Sequence, residues 1–99
     1  MSRENSPLGQ AWRSHVVGQD DIAIQEFKRI ATESPDDIDV LYGLALAQKG
    51  AGQKEEALAN FKRVLELLGD ASGKSAEDAA RTQMLSRMVA QQISILEGK

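Results

Sequence analysis

Cysteine is absent from the chain, which excludes disulfide staples, thiolate zinc sites and cysteine nucleophiles. Histidine occurs once, as His15, so no two-histidine metal site can form and a serine–histidine–aspartate triad would have a single base to draw on. Because His15 falls in a helical stretch, it reads as a partly exposed helix residue. Aromatic residues make up only 4%: Trp12, Tyr42, Phe27 and Phe61. There is no basic block. Twelve Lys and Arg stand against 15 Asp and Glu, a net charge of −3, which is poorly suited to a phosphate backbone, and no nucleic-acid partner is expected. No apolar run approaches the ~18 residues that span a bilayer, so no membrane partner is expected either. The amino end, Met1 to Pro7, lacks the apolar stretch of a secretory signal, which together with the missing cysteines points to a cytoplasmic setting. What remains is 99 residues, 41% hydrophobic and 27% charged, room for one small domain over 1–99.

Within that length the chain repeats itself. At an offset of 34 residues Gly9 falls on Gly43, Ala11 on Ala45, Gly18 on Gly52 and Gln19 on Gln53. Ala23 then falls on Ala57, Phe27-Lys28-Arg29 on Phe61-Lys62-Arg63, and Asp36 on Asp70, without a gap. Ile24/Leu58 and Ile30/Val64 match in kind. A fixed period of this length is the mark of a solenoid built from one supersecondary unit.

Each unit reads as two helices. Ser6-Pro7 is an N-cap followed by proline at the first helical position, and the first helix carries Leu8, Ala11, Trp12 and Val16. After Gly18 a second helix carries Ile22, Ala23, Phe27, Ile30 and Ala31 until Ser34-Pro35 stops it. The next helix begins near Asp37, with Asp36 as its expected N-cap, and sets Leu41, Leu44, Ala45 and Leu46 on or beside one face. Gly50-Ala51-Gly52 breaks it. The fourth carries Ala57, Leu58, Phe61, Val64, Leu65 and Leu68, and Gly69 to Gly73 is expected to end it. Beyond Lys74 the repeat lapses, since 68 residues after Gly18 comes Ser86. Ser75-Ala76-Glu77-Asp78 reads instead as a capping box opening one long helix to about Leu96, roughly 30 Å. Its apolar stripe is Ala79, Ala80, Met84, Leu85, Met88, Val89, Ile93 and Leu96.

The pattern resembles the tetratricopeptide repeat, a 34-residue helix–turn–helix unit. The resemblance rests on the small residue in the first helix (Ala11, Ala45) and the turn glycine (Gly18, Gly52). It rests also on the alanine and aromatic four apart in the second helix (Ala23 and Phe27; Ala57 and Phe61) and on a closing proline, Pro35, replaced by Gly69 in the second unit. It implies an all-α fold, a helical-hairpin superhelix (α-solenoid) of about five helices. The units are repeat one, about 4–37, repeat two, about 38–71, and a capping helix over about 75–97. Gln10, Arg13 and Ser14 stand where the family buries apolar or small groups, so the first helix is expected to be loosely held.

Little in the chain suits catalysis, and neither an enzyme nor a cofactor is expected. Asp20-Asp21, Asp36-Asp37, Glu55-Glu56 and Glu77-Asp78 sit at turns or in first helical turns, where negative charge suits the helix dipole. Gly50-Ala51-Gly52-Gln53-Lys54 lacks the spacing and hydroxyl of a phosphate loop and reads as a turn. Lys28-Arg29 and Lys62-Arg63 read as a solvated ladder, with an acidic docking stripe as the alternative. Met84 and Met88 read as core, with an adaptable binding surface as the alternative.

The resemblance further implies a concave groove lined by the first helices, with a protein or peptide segment as partner. Carried onto this chain, the groove comprises Leu8, Trp12 and His15, then Asp39, Tyr42, Leu46 and Lys49, with Val16 and Gly43 beside them. Trp12 and Tyr42 are its natural anchors, although Trp12 could instead pack in the core of the first hairpin. The family's carboxylate clamp for chaperone tails is not expected, because its places hold Leu8, Trp12 and Gly43, then Gly73 and Glu77. A non-catalytic interaction module is thus the expected function. The alternative is homodimerisation through the apolar groove or the long last helix.

Overall fold

A computed structural model describes residues 6–71 and 76–98. These form five α-helices: α1 (Pro7–Val16), α2 (Asp20–Glu33), α3 (Ile38–Gly50), α4 (Lys54–Ala71) and α5 (Ala76–Glu97). Each packs on the next, and α1 also touches α3, so the described residues make an all-α hairpin solenoid.

The two inter-helix turns are the same structure twice. Gly18 and Gly52 have φ of 87° and 84°, a left-handed conformation in which a Cβ is strained. In the first turn Gly18 N–H donates to the His15 carbonyl and Gln19 N–H to that of Ser14; in the second Gly52 N–H reaches Lys49 and Gln53 N–H reaches Gln48. The last carbonyls of α1 and α3 are thereby satisfied, and the chain reverses within three residues.

At the amino end the hydroxyl of Ser6 accepts from Gly9 N–H at 3.0 Å, and Pro7 occupies the first helical position, where a missing N–H costs nothing. The cap of α3 is Asp37 rather than Asp36: its carboxylate accepts from Asp39 N–H and Val40 N–H at 3.0 and 3.3 Å. Asp36, one residue too early to reach those donors, pairs with Arg63 of α4 at 2.9 Å. α4 runs through Gly69 and ends at Ala71, inside the Gly69 to Gly73 stretch expected to end it. A single glycine costs a helix only about 1 kcal/mol, less than the buried Leu68 beside it contributes. Ser75, the head of the expected capping box, lies outside the described residues.

Packing follows the repeat. Ala11, Ala23, Ile24, Phe27, Val40, Leu44 and Ala47 make one core, and Leu41, Ala45, Ala57, Phe61, Val64, Leu68 and Val89 the other. Ala11 and Ala45, and likewise Ala23 and Ala57, have no exposed surface, which brings the helix axes together at the closest point of each hairpin. α3 belongs to both cores: Val40, Leu44 and Ala47 face the first, Leu41 and Ala45 the second. Its apolar residues therefore occupy two faces rather than one, as a central solenoid helix requires.

The first helix is better anchored than its polar residues suggest. Ser14 donates its hydroxyl to Glu26 of α2 at 2.7 Å. Thirty-four residues later Asn60 of α4 donates to the side-chain oxygen of Gln48 at 2.7 Å, so the same two repeat positions join the helices of both hairpins. Gln48 is buried and this bond satisfies it.

α5 closes the second core with Val89, supported by Leu85, Ile93 and Leu96. Met84 and Met88 do not join it. Both are exposed, because Val89 and Leu85 take the side that faces α4 and the methionines fall about a quarter-turn away.

Candidate functional site

All four aromatic residues and the one histidine form a continuous row. Phe27, fully buried on α2, meets Trp12 of α1 edge-on with ring centroids 5.3 Å apart. Trp12 lies 6.4 Å from Tyr42 of α3, and Tyr42 lies 5.9 Å from buried Phe61 of α4. His15 approaches Trp12 edge-on at 6.2 Å. Buried rings thus stand at both ends, with two half-buried rings, Trp12 and Tyr42, between them.

Gly43 makes this row possible. A Cβ there would lie 2.5 Å from Phe27 Cε1 and 3.0 Å from Trp12 Cζ2. The residue is buried beneath the rings rather than lining an outer surface, which corrects its expected place on the groove. Trp12 packs against the first core and is partly exposed.

The polar members are already engaged. His15 Nδ1 lies 2.7 Å from Asp20 Oδ1, a bond that ties the end of α1 to the start of α2. The Asp20 carboxylate also rests against Gly50, where a Cβ would collide with it. Lys49, equivalent to His15 in the repeat, donates to Gln92 of α5. Asp39 is exposed in the first turn of α3, where its charge suits the helix dipole. Leu8 packs on the first core and Leu46 on the second, both partly exposed. From the sequence Asp20 read only as a carboxylate at a turn, and Gln92 was not singled out. The Ser14–Glu26 and Gln48–Asn60 bonds could have been found there, since all four positions obey the offset of 34.

Partial burial raises the Tyr42 pKa above its ordinary value of 10.0, because the phenolate is poorly solvated beside Trp12 and Phe61. Folding thus favours the neutral phenol, and its contribution is fully present below pH 10 and lost as the pH climbs through the raised value. Tyr42 is the only tyrosine, so absorbance at 295 nm during alkaline titration should show one midpoint above that of the unfolded chain. Coincident midpoints in buffer and in denaturant would contradict the burial.

On α4 the basic pair is engaged. Arg63 bridges Asp36 and Glu66, which raise its pKa, and Lys62 meets Glu97 at 3.3 Å. The basic pair of the second unit is thus occupied by its own chain. A shallow hollow at the α1–α2 junction is lined by Pro7, Gln10, Glu26, Arg29 and Ile30, and Glu26 there is held by Ser14. No helix among the described residues is long and apolar enough to cross a membrane.

No curated protein and no solved structure matches the chain. A family model described as a tetratricopeptide repeat matches residues 18–92, the span holding both glycine turns, both buried phenylalanines and most of α5. Domains of that family are typically non-catalytic and generally mediate protein–protein interaction. Two 34-residue hairpins stacked on a shared central helix, matched over that span, make this chain a member of the tetratricopeptide repeat family.

Proposed function

We propose that the chain is a non-catalytic interaction module that takes a peptide or helical segment of a partner protein on the concave α1–α3 face. One observation carries the reading: Trp12 and Tyr42, 6.4 Å apart on successive first helices, are both partly exposed and are backed by buried Phe27 and Phe61. Rigid amphipathic rings on a packed base lose little entropy on binding and are the usual energetic anchors of an interface. Leu8 and Leu46 extend the apolar strip. His15 and Lys49, held by Asp20 and Gln92, edge it without offering a free carboxylate clamp. Asp39 is the exposed charge at its other end and would select against acidic segments. In this reading the hairpins and α5 act as one unit.

Peptides selected from a displayed random library against the immobilised chain test this. They should shift the emission of Trp12, the only tryptophan. They should also lose at least about tenfold in affinity on Tyr42→Ala, about 1.4 kcal/mol, with circular dichroism showing that the variant retains its helices. Peptides that leave the emission unchanged and bind the folded variant equally well would overturn the reading.

A further inference from the structure

Among the described residues, three of the six exposed large hydrophobic ones lie on α5: Met84 at 58%, Met88 at 42% and Ile95 at 53%. With Gln91, also exposed, they are spaced by four, three and four residues, the spacing of a coiled-coil seam. At about 100° per residue, they form a strip displaced from the Val89 side that packs on the second core. Val89, Leu85, Ile93 and Leu96 pack on the second core and so orient α5, which leaves the seam turned outward.

We propose that this seam pairs antiparallel with the α5 of a second copy. A two-fold interface must be complementary to itself, and this one is, about a point between Val89 and Ala90. That register sets Met84 against Ile95 of the second copy and Met88 against Gln91, each twice. Charge selects the direction. Arg81 continues the seam one heptad before Met88, so a parallel pair would set Arg81 against its own copy. The antiparallel pair sets it beside Gly98, past the helix end. The like charges separate and the two helix dipoles oppose. Area sets the strength. The overlap from Arg81 to Gly98 offers a strip of about 26 by 10 Å, roughly 260 Å², against the about 800 Å² per partner of a standard interface. The association is therefore weak and reversible, and it does not depend on the α1–α3 face.

A chain without cysteine makes the register directly readable. Met84→Cys and Ile95→Cys variants, mixed in equal amounts under mild oxidation, should yield mainly the mixed disulfide. Each variant alone should cross-link no better than Gln25→Cys on the exposed side of α2. Preferential Met84→Cys homodimers would establish a parallel pair and overturn the proposal, as would cross-linking of the mixture no better than that control. By sedimentation equilibrium the wild type should show a mass that rises with concentration. Met88→Glu, with helicity unchanged, should weaken the association at least about tenfold by placing a charge in the seam. A wild type that stays monomeric up to about 1 mM would also overturn the pairing.

Discussion

Phe27→Ala should cost about 3–5 kcal/mol of stability, the ordinary loss for a fully buried aromatic side chain. Phe27 has no exposed surface and is the ring on which Trp12 rests, so its removal leaves a cavity walled by α1, α2 and α3. A chain of this size holds about 5–15 kcal/mol in total, so the variant should sit near the edge of unfolding. Urea denaturation followed by circular dichroism measures the loss. Phe61→Ala is the informative comparison, being equally buried but with its ring against Tyr42. Both should destabilise comparably, while only Phe27→Ala should strongly alter the emission of folded Trp12. A loss below about 1.5 kcal/mol for Phe27 would mean that the surrounding helices collapse into the space.

Gly43→Ala sets two opposing terms against each other. Alanine gains up to about 1 kcal/mol over glycine in a helix interior. The added methyl, however, meets two ring atoms of Phe27 at distances that Cβ atoms essentially never show and one of Trp12 at a tight 3.0 Å, and Phe27 is fully buried. Overpacking of this kind costs about 1–3 kcal/mol, so the net change should be destabilising. Gly69→Ala is the matched control: it lies in α4 with nothing within 4 Å of the added methyl. There the propensity term stands alone, and a gain of up to about 1 kcal/mol is expected. If Gly43→Ala also stabilised the fold, the close packing of Trp12 and Phe27 over α3 would be refuted.

The solenoid was legible because repeat identity reports on packing twice over. Ala11 and Ala45 are small where helices approach, Phe27 and Phe61 are large where they part, and Gly18 and Gly52 turn left-handed between them. Any one of these is a weak signal, whereas the matched set at 34 residues is not. What the repeat could not convey were features particular to one copy. Asp36 and Asp37 are chemically alike, and a one-residue difference in reach decides which caps α3 and which pairs with Arg63. Met84 and Met88 suit a core as well as a surface, and only the rotation of α5 against α4 decides between them. The residues proposed for binding lie between these cases. Trp12 and Tyr42 stand out by composition, but their shared base of buried rings depends on a contact across four helices. His15 and Lys49 look available in the sequence, and each is engaged by a partner that periodicity alone does not supply.

The hydrogen bond that joins the two helices of each hairpin also sets the near-identical units apart. Near-identical units invite the wrong helices to associate, a recurrent failure of repeat proteins. In the first hairpin a short side chain on the leading helix, Ser14, meets a long one, Glu26; in the second a long one, Gln48, meets a short one, Asn60. Exchange of partners would set the two short side chains, Ser14 and Asn60, against each other, and likewise the two long ones, Gln48 and Glu26. The inverted order of long and short is thus a difference between two hairpins whose apolar surfaces are nearly interchangeable.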